Sequence, residues 1–151
     1  MKNKDYMEKI LPHKGPMVLI DDVTSYSLEE GWLRSIVTIS EDSIFYDKNL
    51  GGVSSIVGIE YMAQTIAAFA FLYSGKEEPQ IGLLLGTRLY NNKYTVFKKD
   101  ETLEILVKQI FYGNDIVSFE CFIYNENKEE ISSATINVYQ NDNIEERLNN
   151  G

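Results

Sequence analysis

The sequence predicts an α+β fold in which one antiparallel sheet wraps around a single long, buried helix. Two observations carry this. From about Ser54 to Ser74 the chain is apolar on nearly every side, and Glu60 is the sole charged residue between Lys48 and Lys76. A helix that is hydrophobic all round has to be buried. Most of the remaining chain falls into short runs rich in Val, Ile, Thr, Tyr and Phe, bounded by Gly, Asn and Asp, which is the pattern of strands and turns. A chain of 151 residues, 44% hydrophobic and 25% charged, suits a single domain over residues 1–151 with a proper core.

Taken in order, Lys4 to Ile10 predicts a short amphipathic helix with Tyr6, Met7 and Ile10 on one side. Pro12 and Pro16 then hold LPHKGP out of helical conformation. Met17 to Ser27 and Trp32 to Ser40 read as a hairpin across the Leu-Glu-Glu-Gly turn. An irregular stretch, SEDSIFYDKN, leads to Gly51 and Gly52 and into the central helix over about 54–74, where Ser54 or Ser55 could cap the helix start. QIGLLLGTRLYNNKYT is too short and glycine-interrupted for a helix and reads as a strand. Three more strands follow, TLEILVKQIFYG, DIVSFECFIYNEN and EISSATINVYQ, joined by polar turns as a meander. The polar tail, residues 141–151, is expected to be flexible. Hairpin, buried helix and four further strands make the wrapped arrangement called the hotdog fold. A sheet of this size leaves an edge and part of the helix uncovered, which predicts a homodimer.

Composition narrows function. The net charge of −9 argues against nucleic acid as a partner, because phosphate neutralisation needs a basic surface. An acidic carrier protein would need a local basic patch, for which Lys14, Arg88, Lys93, Lys98 and Lys99 are available. One cysteine, Cys121, makes no internal disulfide and fits a reducing compartment as a buried, inert thiol. One His and one Cys supply no metal site, no glycine-rich loop has phosphate-binding spacing, and no bound cofactor is expected. The N-terminus lacks an apolar signal core, so a cytoplasmic location is expected. The helix is nearly long enough to span a membrane, but Glu60, Gln64 and Thr65 within it argue against that.

Glu60 and Gln64 are spaced i, i+4 and share a helix face. A carboxylate buried there is costly without a partner or a task, and burial would suit it to proton donation near neutrality. Gln64 would orient Glu60 or hold a nearby backbone group.

LPHKGPMVLIDDV near the start and GIEYMAQTIAAFA in the helix resemble the beta-hydroxyacyl-carrier-protein dehydratases. IEYMAQ, the strand from Ile81 to Tyr90 and the closing NVYQ, Asn137 to Gln140, are more similar to the ApeP-type dehydratase-like proteins associated with aryl polyene biosynthesis. The resemblance covers about residues 5 to 141 and implies loss of water from a 3-hydroxyacyl thioester. Such a substrate rides on a phosphopantetheine arm, of acyl carrier protein or coenzyme A. The chemistry needs a base for the α-proton, an acid for the leaving hydroxyl and donors for the thioester oxygen. The resemblance assigns Glu60 as the helix carboxylate and the backbone around Ser54, Ser55 and Ile56 as the donors. It implies an acyl tunnel along Met62, Ile66 and Phe69. Those dehydratases place a histidine in a His-Phe-Pro segment before the helix; the corresponding positions here are Phe45, Tyr46 and Asp47. Tyr46 or Asp47 would stand in for it, or His13, the only histidine, pairs with Glu60, supplied within the chain or across a dimer interface.

Three functions follow. The first is a dehydratase. The second is a non-catalytic acyl-binding partner of a related hotdog subunit, favoured by the missing histidine. The third is a thioesterase, since the same fold hydrolyses thioesters with a helix carboxylate and water.

Overall fold

The computed structural model describes residues 3–77, 79, 82–113 and 116–140. In chain order these form α1 (Lys4–Ile10), β1 (Asp22–Ser27), β2 (Trp32–Thr38), β3 (Tyr46–Asp47), β4 (Gly52–Ser54) and α2 (Gly58–Ser74). The chain continues as β5 (Gly82–Asn92), β6 (Val96–Lys98), β7 (Thr102–Gly113), β8 (Ile116–Tyr124) and β9 (Glu130–Gln140). The tail from 141 and the Asn114 half of the Gly113-Asn114 turn lie outside the described residues, as does Ile81.

Six strands form the main sheet in the order β1-β2-β7-β8-β9-β5, every neighbour antiparallel. Alternation explains it: along β8, Val117, Phe119, Cys121 and Ile123 point inward while Glu120 faces solvent. The β8–β9 turn is built by Asn125, whose Oδ1 accepts from the backbone N–H of Asn127 and Glu129, both at 3.0 Å. The sheet curls over α2, whose Phe69 ring meets Phe119 edge-on at 5.7 Å. This is the hotdog arrangement expected from the sequence.

Among the described residues one helical stretch, Ser55–Ser74, is apolar and long enough to cross a membrane; 67% of it is buried, so most of its apolar surface is spent on the core. Buried Thr65 ties it to the sheet, donating its one hydroxyl proton to the Tyr61 carbonyl and accepting from the Ser35 hydroxyl at 2.7 Å.

Three details differ from the sequence reading. The helix expected from about 54 begins at Gly58, because Ser55–Val57 is a 3-10 turn and Ser54 still belongs to β4. Neither serine side chain caps the start. The hairpin's first strand starts at Asp22 rather than Met17, since Gln64 takes the hydrogen bonds of that stretch. Its Oε1 accepts from Leu19 N–H at 2.9 Å and Ile20 N–H at 3.4 Å, and its Nε2 donates to the Met17 carbonyl at 2.7 Å. Finally, β3, β4 and β6 form a separate three-stranded ladder that the loop-like sequence around them conceals.

Candidate functional site

The LPHKGP segment follows α1, which is anchored by Met7, Ile10 and Leu11, all fully buried. Gly15 takes a left-handed turn, φ 56°, and donates its N–H to the Glu8 carboxylate at 2.6 Å. Lys14 donates to the carbonyls of Glu8 and Leu11. Gln64, 1% exposed, then clamps residues 17–20 against α2. Its amide is thus consumed by backbone, the second of the two roles open to it. Leaving those backbone groups unpaired would cost about 1–3 kcal/mol each, so Gln64 holds the segment after the Gly15-Pro16 turn in place.

His13 is within electrostatic reach of Glu60. His13 is half-buried, and its Nδ1 is enclosed without a hydrogen-bond partner. Burial lowers its pKa below the usual 6.5; the Glu60 charge opposes this by raising it, and Lys14 lowers it further. Among the described residues no hydrogen bond or ion pair joins His13 to Glu60, and the two interact through charge alone. An imidazole and a carboxylate within electrostatic reach of each other are groups that can take protons from a bound substrate and return them.

Glu60 itself departs from expectation. The sequence places it on a buried face; in the single chain it is exposed. It lies on a stripe of α2 that the sheet leaves open: Ile56 at 66% exposure, then half-buried Ile59, Ala63 and Ala67, one helical turn apart. The opposite face is the core. Met62, Ile66 and Phe69, expected to line an acyl tunnel, are packed there at 3% exposure or less. Any apolar path along the helix runs over the open stripe instead.

The remaining candidates are placed as follows. Ile56 and buried Ser55 lie in the 3-10 turn at the head of α2, and Ser54 is half-buried beside it, paired with Val96. Tyr46 is half-buried in β3, opposite Val53, and packs on the core. It makes no hydrogen bond to His13 or Glu60. Asp47 is exposed, and its carboxylate accepts from Asn49 N–H at 2.8 Å as a turn residue. The residues at the position of the missing histidine are thus committed to local structure.

The lysines considered for a carrier patch are also largely engaged. Lys99 pairs with Glu41 at 2.6 Å, Lys93 with Glu129, and Lys14 with backbone carbonyls. Lys98 is exposed, and the Arg88 side chain lies outside the described residues. Cys121 is fully buried, and burial pushes its thiol pKa up. A cleft of about 340 Å³ lies beside the Gly15-Pro16 turn, lined by Leu19, Asp21, Thr38 and Tyr61 among others, and includes neither His13 nor Glu60.

The depressed His13 pKa has a stability consequence. The unfolded chain takes up the proton near 6.5 while the folded chain resists it, so the unfolded state binds more protons just below that pH. Stability is therefore expected to fall as pH drops below 6.5, and to level off beneath the folded value. Thermal midpoints of wild type and His13→Ala between neutral and mildly acid pH check this: the variant's curve should be the flatter. Parallel curves would contradict it.

A family model described as ApeP-like, ApeP dehydratase, matches residues 6–149. The structure is similar to a chain of the dehydratase heterocomplex ApeI:P from Xenorhabdus doucetiae, with a TM-score of 0.82 and 28% identity over 96% of this chain and 97% of that one. It is also similar to smu.793 from Streptococcus mutans UA159 bound to acetyl CoA, TM-score 0.62, 15% identical over 80% of this chain and 87% of that one. A putative thioesterase, yhdA from Lactococcus lactis, gives a TM-score of 0.65 at 15% identity, over 81% and 92% of the two chains. At that identity the last two speak for the fold alone. No curated protein sequence matches the chain.

Proposed function

Because the chain belongs to the ApeP-like dehydratase family, we propose that it works in the elimination of water from 3-hydroxyacyl thioesters, with His13 and Glu60 as its acid–base pair. The reading is supported by the electrostatic interaction between the two, by the enclosed His13 Nδ1, which has no partner among the described residues, and by the exposure of Glu60 on the open stripe of α2. His13 accepts the α-proton. Glu60 serves as acid partner to the β-hydroxyl, which takes up a proton and leaves as water while the α,β double bond forms. Of the donors expected around Ser54, Ser55 and Ile56, Ser54 is paired with Val96 and Ser55 N–H donates to Thr95, so charge gathering on the thioester oxygen meets the Ile56 N–H at the head of α2. The acyl tail lies along Ile59, Ala63 and Ala67, and the pantetheine arm of acyl carrier protein or coenzyme A enters from solvent. The protein itself needs no bound cofactor for this chemistry, and a cytoplasmic setting and an aryl polyene-type product fit the reading.

The open stripe beside Glu60 requires a cover, and a second hotdog chain supplies one. A copy of this chain gives a homodimer. A related subunit is the alternative: the similar structure from Xenorhabdus doucetiae is a heterocomplex. The histidine of the beta-hydroxyacyl-carrier-protein dehydratases corresponds to the stretch Phe45, Tyr46 and Asp47, of which Tyr46 is packed on the core from β3 and Asp47 is a turn residue, which favours a reading in which a related subunit contributes part of the site.

Following enoyl formation and thiol release together, on the N-acetylcysteamine thioester of a 3-hydroxy acid, tests this. Enoyl product without free thiol is the expected result. Thiol without enoyl product makes the protein a thioesterase. Turnover that appears only on adding a related subunit assigns it the partner's role.

A further inference from the structure

The strand motif ending in Tyr90 has no part in the acid–base pair, yet its last residue reaches the head of α2. The Tyr90 hydroxyl donates a hydrogen bond to the Ser55 carbonyl. The same carbonyl accepts the N–H of Gly58 at the start of the helix, so both of its lone pairs are used. Tyr90 is half-buried, and its oxygen also meets the side chains of Ser132 and Asn92, which are bonded to each other at 2.6 Å. Gly58 is cut to fit this contact. A Cβ there would stand 2.0 Å from the Tyr90 hydroxyl oxygen and 2.9 Å from Ile123 Cδ1. On the other side, Ser55 N–H donates to the Thr95 carbonyl at 2.9 Å. The turn is held at its amide, its carbonyl and its following glycine.

The Ser55 carbonyl and the Ile56 N–H are two ends of one peptide group. A donor on the carbonyl pulls electron density from the nitrogen and makes the N–H a stronger donor, the cooperative effect seen along hydrogen-bond chains. We propose that Tyr90 is a positioning residue for the dehydration: it fixes the plane of the Ser55–Ile56 peptide and strengthens its N–H toward the thioester oxygen. This rests on the function proposed above. Tyr90 touches neither substrate nor the reacting atoms; it acts through the peptide. The binding of the thioester needs that N–H less than the enolate-like transition state does, since charge on the oxygen develops only there.

The test is Tyr90→Phe, which keeps the ring and removes the hydroxyl. With the same N-acetylcysteamine thioester, kcat is expected to fall roughly tenfold while KM stays within about twofold. Carbon-13 and nitrogen-15 NMR reads the peptide directly: the Ser55 carbonyl and Ile56 amide resonances should shift as the bond is lost. Ile105→Val, a one-methyl deletion in the sheet core, shows what lost stability alone does to kcat. A wild-type kcat retained in Tyr90→Phe, or a fall matched by Ile105→Val, overturns the proposal. Wild type that forms no enoyl product brings down the dehydratase reading itself, and this inference with it, so the two failures are told apart. If Tyr90→Phe does not fold, the same resonances and kcat in Gly58→Ala, which displaces the hydroxyl from the other side, decide the matter: unchanged values overturn it.

Discussion

Glu60→Gln is expected to lower turnover of a 3-hydroxyacyl thioester by about 10²–10⁴-fold, the usual worth of a positioned general acid or base, while leaving the fold intact. The two halves of that expectation come from the same geometry. Glu60 is exposed and makes no hydrogen bond among the described residues, so the isosteric amide disturbs no packing, and its effect on stability should stay within about 0.5 kcal/mol. The carboxylate nevertheless raises the pKa of His13 against burial. Removing its charge takes away that support, so the acid limb of the residual pH–rate profile should move to lower pH. Measuring kcat/KM across pH beside the thermal midpoint checks both effects. Wild-type turnover with an unshifted acid limb would remove Glu60 from the chemistry. A large fall in midpoint would mean the loss was structural.

What the sequence made legible is what repeats along it. The alternation in β8 and the unbroken apolar run of α2 each report burial residue by residue, so the sheet, the helix and their contact could be read. What it hid depends on single long-range partners. The strand-like run from Met17 becomes a strand only at Asp22, because one buried amide, Gln64, 47 residues away from Met17, takes the backbone before it. The helix looked buried all round because Ala and Ile carry no sign of which neighbour covers them. The structure leaves Ile56, Ile59, Ala63 and Ala67 as an open stripe, and Glu60 with them. The ladder of β3, β4 and β6 has strands of two or three residues, too short for any period to show. Tyr90 shared its motif with residues of no visible role; only its contact with Ser55 and the glycine cut at Gly58 single it out. A glycine opening an otherwise apolar helix was the one available hint, since it weakens the helix unless something needs the room.

Gly52→Ala carries the largest expected loss of stability, about 3 kcal/mol, at the upper end of what overpacking a tight contact costs. Gly52 is buried in β4, and a Cβ there would lie 2.0 Å from the Phe97 carbonyl oxygen and 3.1 Å from Lys98 Cα. Both are backbone atoms of β6, so no side-chain rotation relieves the clash and the two strands have to part. Phe97 is then drawn away from Tyr61, whose ring it meets at 6.0 Å in the core. The head of α2 also loses its footing, because Ser54 pairs with β6 and Ser55 N–H donates to Thr95 just before it. For a chain of this size the midpoint should drop by roughly 6–12 °C, and turnover should fall with it as the turn beneath the thioester shifts. Gly51→Ala is the control. It places a residue at φ 68° but meets nothing within 4 Å, so its cost is backbone strain alone, about 1–2 kcal/mol. Thermal unfolding of the two variants side by side separates the causes. If Gly51→Ala proved the more damaging, left-handed backbone rather than the close approach of β4 to β6 would be what sets the entry to the helix.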